Sequence, residues 1–147
     1  MVGVKGEGVA AAVDKQRHAG RCLCGAVRYE ATGLTGIWYC HCRQCRALTG
    51  HYLAACRTRN EDLAISGEVV WAHHSGDAEH GRCANCGSLL FWANRKGQHI
   101  SVLPGSLDNT DGIAVGGHIF VIEKGDYYTI DDGLPQFDRY PDKALQG

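Results

Sequence analysis

From Ala26 to Thr32 the chain alternates, with Val27, Tyr29 and Ala31 on one side and Arg28 and Glu30 on the other. A period of two predicts a half-buried strand. Ile37-Trp38-Tyr39-Cys40 is β-prone, and Arg43 to Leu48 is expected as a short helical turn stopped by Gly50. Tyr52–Arg57, Leu63–Ser66 and Val69–His74 read as strands, separated by the turn signals Arg59-Asn60-Glu61-Asp62 and Ser66-Gly67. Ser88–Ala93 and His99–Leu103 flank Asn94-Arg95-Lys96-Gly97 as a hairpin. His118–Ile122 and Tyr127–Ile130 flank Glu123-Lys124-Gly125-Asp126 as a second. Residues 1–19 are Gly/Ala-rich and aperiodic, so they are expected to be a flexible tail before one domain over 20–147. Many short strands, turned by 20 Gly and without a long amphipathic helix, predict a mainly β fold.

Composition narrows the function classes. The 147 residues suit one domain, and the formal net charge of -1 argues against bulk binding to nucleic acid or an anionic membrane. No apolar run approaches the roughly 20 residues that span a bilayer. Near the start, the longest apolar stretch is Val9-Ala10-Ala11-Ala12-Val13, too short for an export signal core. The chain is therefore expected in the cytoplasm, where its 8 Cys would stay reduced.

The cysteine spacings point to metal. Cys83-Ala84-Asn85-Cys86-Gly87 is a knuckle, with two thiolates on one side of a tight turn and a Gly free to take positive φ. Cys22-Leu23-Cys24-Gly25 is a shorter version. Together, Cys22, Cys24, Cys83 and Cys86 would complete a closed tetrahedral zinc site. Cys40, Cys42 and Cys45 form a compact set of three, and three ligands with an open position is the pattern of catalytic zinc. A closed second site, with His41, His51 or Cys56 as fourth ligand, is the alternative. His41 fits that role poorly, because in an extended Cys40-His41-Cys42 it faces away from both sulfurs. Cys56 reads as a small buried residue.

Charge is uneven. Between Ala19 and Asn60 stand six Arg and one acid, Glu30; from Pro104 onward there are eight acids and three bases. Arg43 and Arg46 would offset the thiolate charge or receive ligand carboxylates, with a solvated basic face as the other reading. His41 or His51 is a candidate proton relay, and His118, beside Gly116-Gly117, a candidate pocket residue.

Several motifs resemble those of the glutathione-dependent formaldehyde-activating enzyme family, whose relatives include centromere protein V. They are Gly20-Arg21-Cys22-Leu23-Cys24-Gly25-Ala26-Val27, Cys40-His41-Cys42-Arg43-Gln44-Cys45-Arg46, Cys83-Ala84-Asn85-Cys86-Gly87-Ser88, Gly105-Ser106-Leu107-Asp108, His118-Ile119-Phe120 and Asp131-Asp132-Gly133-Leu134-Pro135-Gln136-Phe137. They run in order from about Gly20 to Tyr140. The resemblance implies a β-tent fold of small antiparallel sheets joined by a structural zinc. It implies two zinc ions per chain, with Cys22, Cys24, Cys83 and Cys86 structural and Cys40, Cys42 and Cys45 catalytic. The implied activity is that of a carbon–sulfur lyase, joining glutathione and formaldehyde, or a related aldehyde, as S-hydroxymethylglutathione. Arg43, Arg46 and His118 are the candidate substrate contacts. Arg82 before the knuckle, and Tyr127 and Tyr128 near the last strand, depart from the family pattern where a pocket could be reshaped. The competing classes are a non-enzymatic zinc module that binds a protein, and a nucleic-acid or cytoskeletal binder using the Arg-rich half. Neither nucleic acid nor membrane is an expected partner, and a homodimer is one assembly the sequence allows.

Overall fold

Alternating side chains and frequent turns give short strands. The computed structural model describes residues 15–141, and every statement below concerns those residues. The strands are β1 (Arg17–Arg21), β2 (Arg28–Thr32), β3 (Thr35–Cys40), β4 (Leu53–Arg59), β5 (Leu63–Ser66), β6 (Val69–His73), β7 (Ala78–Cys83), β8 (Leu89–Asn94), β9 (His99–Val102) and β10 (Val115–Ile119). One helix, α1 (Arg43–Thr49), lies between β3 and β4, and Gly50 ends it in the left-handed conformation at φ 83°. The fold is mainly β, as the periodicity predicts.

Two sheets form. The smaller has the order β1-β2-β5, antiparallel throughout. The larger has the order β10-β3-β4-β9-β8-β7-β6, antiparallel except for the parallel pair β10-β3. Tyr29 of β2 joins them, its ring meeting Phe91 of β8 edge-on at a centroid distance of 5.2 Å. Val27, Ile37, Leu90 and Val102 complete the centre of this core. The Tyr29 ring lies over Gly20, its partner across β1-β2, where a Cβ would stand 2.3 Å from the ring. A side chain at Gly20 would therefore displace Tyr29 from the core.

Two expectations are corrected, and one strand is added. Arg17, His18 and Ala19 are not tail: they open β1, with His18 and Gly20 facing inward. The remainder of the expected tail, residues 1–14, lies outside the described residues. A strand at Ala78–Cys83 escapes the sequence pattern because its fully buried positions are His80, Gly81 and Cys83 rather than alternating apolar residues. The second hairpin does not form. β10 ends at Ile119, and Phe120 turns the chain with φ 56° into a 3-10 turn over Val121–Glu123. Tyr127–Ile130 is not a strand.

Candidate metal centres and active site

The first centre joins the two knuckles. Cys22, Cys24, Cys83 and Cys86 bring their sulfurs within 4.8 Å of one another. Cys22 and Cys24 are 3.6 Å apart, and Cys24 and Cys83 3.9 Å. Thiolates around a tetrahedral zinc at about 2.3 Å stand about 3.8 Å apart, so the donor set fits that ion. Backbone N–H groups turn toward the sulfurs: Val27 N donates to Cys22 at 3.2 Å, Ala26 N to Cys24 at 3.4 Å, and Asn85 N to Cys83 at 3.3 Å. Gly25 and Gly87 close the two knuckles with φ 82° and 79°, a region that favours glycine. Ser88 holds the Cys86 thiol down at about 5, through its hydroxyl and its backbone N–H. Charge-stabilising N–H and O–H donors around thiols favour the thiolate form that a metal requires.

The second centre forms where β3 runs into α1. Cys40, Cys42 and Cys45 also bring their sulfurs within 4.8 Å. Alternation along β3 puts Trp38, Cys40 and Cys42 toward one side, and Ile37, Tyr39 and His41 toward the other. Cys42 caps α1, its sulfur accepting from Cys45 N at 3.4 Å. Hydrogen bonds from Cys40 and Cys45, then from the backbone of Cys45 and Gln44, hold the Cys42 thiol well below its ordinary range. The same sharing pushes Cys40 and Cys45 up, so without a cation the cluster concentrates its negative charge on Cys42. No fourth His, Cys, Asp or Glu joins this set among the described residues.

A cavity of about 500 Å³ opens beside this second cluster, and all three cysteines line it. Trp38, Trp92, Phe120, Tyr140, Leu53 and Ile119 supply most of its apolar wall. Arg43, Arg57 and Glu123 are its charged members. Glu123 also accepts from Arg43 N at 3.0 Å, fixing the first turn of α1. Tyr140 senses the cluster: burial, then the negative field of Cys40, Cys42 and Cys45, raises its hydroxyl pKa.

Behind the cysteines lies a chain of polar groups. The Asp132 carboxylate accepts from His118 Nε2 at 2.8 Å, which leaves His118 Nδ1 to accept from His41 Nε2, also at 2.8 Å. His41 Nδ1 then accepts from the Tyr128 hydroxyl at 2.7 Å, and that oxygen accepts from Gly125 N at 3.3 Å. Donors and acceptors pair along the whole chain with His41 neutral. Burial, and then the field of His118, holds His41 at about 4, in agreement with that assignment.

The predicted site residues separate accordingly. The seven cysteines fall into the two expected groups. Cys56 is buried, its thiol directed to the Val102 carbonyl, and burial raises it to about 12. Arg43 lines the cavity, whereas Arg46 and His118 do not. Arg46 lies near Tyr128, and its Nε is buried without a hydrogen-bond partner among the described residues. His118 is buried because the neighbouring position on β10, Ile119, is the one that faces the cavity. Neither His41 nor His51 reaches the lining, nor do Arg82, Tyr127 or Tyr128. Tyr128 serves the polar chain instead. Sequence reasoning missed Trp38, Trp92, Phe120 and Tyr140; for Trp38 the signal was available, two positions before Cys40 on a predicted strand.

A mainly β domain with one closed thiol cluster and one open to a cavity defines a class of protein with two metal-competent cysteine centres. The chain belongs to the glutathione-dependent formaldehyde-activating enzyme family, whose profile matches residues 17–123. A crystal structure of a Rhodobacter sphaeroides protein is similar to it, with a TM-score of 0.53 and 25% identity, over 64% of this chain and 91% of that one. No curated protein matches the chain. No helix among the described residues is long and apolar enough to cross a membrane.

Proposed function

We propose that the protein is a zinc-dependent enzyme of the carbon–sulfur lyase type, adding a thiol to an aldehyde and reversing that addition. Glutathione and formaldehyde, the pair in the family's name, giving S-hydroxymethylglutathione, are the assignment with which to begin. One observation carries the reading: three sulfurs converge in the wall of a cavity with no fourth protein ligand among the described residues. A zinc ion held by Cys40, Cys42 and Cys45 would supply a Lewis acid and raise the thiolate fraction of a thiol at that site.

The chain's own residues do the rest. Leu53, Ile119 and the aromatic side chains exclude water, which strengthens every polar contact inside. Arg43 offers a cation beside the sulfurs for a carboxylate of the thiol. The chain from Asp132 to Tyr128 fixes His41, and so the flanking Cys40 and Cys42, which face the cavity on the side away from His41. Holding thiol and aldehyde in one cavity replaces their bimolecular encounter. Cys22, Cys24, Cys83 and Cys86 are assigned to a structural zinc that ties the β1-β2 turn to the β7-β8 turn.

Exchange between free formaldehyde and S-hydroxymethylglutathione, followed by NMR, tests the reading. The zinc-loaded protein is expected to accelerate exchange, and Cys42→Ser to remove the acceleration. Equal rates with and without protein, for glutathione and for other small thiols, would refute the enzyme reading and favour a zinc module that binds a protein.

A further inference from the structure

Attack of a thiol on a carbonyl puts negative charge on the carbonyl oxygen, and a hydrogen-bond donor aimed at that oxygen lowers the barrier. Gln44, Ser101 and Tyr140 are the side chains with an amide or hydroxyl that line the cavity beside Cys40, Cys42 and Cys45. Gln44 is committed elsewhere. Its carbonyl oxygen accepts from His74 Nδ1 at 3.1 Å, and its amide nitrogen donates to Ser75 Oγ. Ser101 stands opposite Arg57, four residues along β4 from Leu53, which is the partner of Cys40. That row lies about 13 Å along the strand from the thiol row. Tyr140 is left. Its hydroxyl makes no hydrogen bond among the described residues, yet it lies in the field of all three sulfurs.

The main chain delivers this residue to the cavity. Phe120 turns the end of β10 with φ 56°, the one positive value outside glycine among the described residues. Bulky residues rarely adopt that region, and it persists where surrounding contacts hold it. Here the contacts are backbone bonds to the segment that precedes Tyr140. Phe120 N donates to Arg139 O at 3.3 Å, Val121 N to Phe137 O at 3.1 Å, and Phe137 N to His118 O at 2.9 Å. The Tyr140 ring then meets the Phe120 ring edge-on at a centroid distance of 5.0 Å, and both residues line the cavity. One turn thus holds the ring and leaves the oxygen unpaired. Burial and the field of the sulfurs keep the proton on that oxygen, so it offers a donor and not a phenolate.

Resting on the thiol–aldehyde reading above, we propose that Tyr140 is a catalytic residue, its hydroxyl donating to the aldehyde oxygen as the carbon–sulfur bond forms. The sulfur pair makes the new bond, the carbonyl π pair moves to oxygen, and that oxygen takes the Tyr140 proton. The proton lost by the thiol returns to Tyr140 through water. The sum is RSH + R′CHO giving RS–CH(OH)R′, with nothing oxidised or reduced.

Exchange between formaldehyde and S-hydroxymethylglutathione, measured over a range of concentrations with the zinc-loaded protein, tests this. Tyr140→Phe keeps the ring and loses the donor. It should lower kcat about a hundredfold and leave KM within about threefold. Its zinc content and far-UV circular dichroism should match those of the unaltered protein. A kcat within about threefold of the unaltered protein, a loss confined to KM, or a loss of zinc overturns the proposal and leaves the thiol–aldehyde reading in place. No acceleration by the unaltered protein, with glutathione or other small thiols, overturns that reading and the proposal with it.

Discussion

Tyr29 shows how one residue sets a pH limit on the fold. Its ring is buried against Phe91, and its hydroxyl meets Ser106 Oγ at 2.5 Å. Burial raises its pKa from 10.0 to about 12. The folded protein thus holds this proton where the unfolded chain has released it. The contribution is fully present below pH 10 and is lost as pH rises through 12, amounting to on the order of 2 kcal/mol. Urea unfolding at pH 8 and pH 11 should show about half of that loss, and Tyr29→Phe should reduce the difference between the two. An unchanged difference in the variant would assign the alkaline sensitivity elsewhere.

At the scale of elements, β10 is tied to β3 from behind the cysteines. Ile119 O accepts from His41 N at 3.0 Å, and the two imidazoles bond to each other. His118→Ala would leave a cavity and strand the His41 N–H without a partner, a loss of about 3 kcal/mol in urea unfolding. Asp132→Asn should cost clearly less, because Asp132 is half exposed and water can replace its contact. Equal losses would mean that the chain of hydrogen bonds is not anchored at His118. The elements also show what was legible in advance. β2 was written in a clean period of two, and the end of α1 in Gly50. β1 was not, since its buried positions are His18 and Gly20: one bonds the Asp111 carbonyl, and the other makes room for Tyr29. The false last hairpin had the right composition but lacked a partner. Phe120 leaves the strand at positive φ, Lys124 Nζ binds the Gly125 and Tyr128 carbonyls, and the Tyr128 hydroxyl goes to His41.

Across the whole molecule, the cysteines were the most legible part of the candidate site, because ligand spacing is local and sulfur chemistry is restrictive. The cavity was the least legible. Its walls come from β3, β4, β8, β9 and β10, and the small residues facing each indole are set by strand register, which no local pattern specifies. The same topology separates two duties. One thiol cluster joins a turn of the small sheet to a turn of the large one, while the other lies against the cavity. The account stands on that division of seven cysteines into four and three. Zinc content of the purified protein by native mass spectrometry, compared with Cys42→Ser and with far-UV circular dichroism of both, tests it most directly. The account predicts two zinc ions per chain, one in the variant, and the same β spectrum. Two ions retained in Cys42→Ser, or loss of both together with the fold, would contradict it.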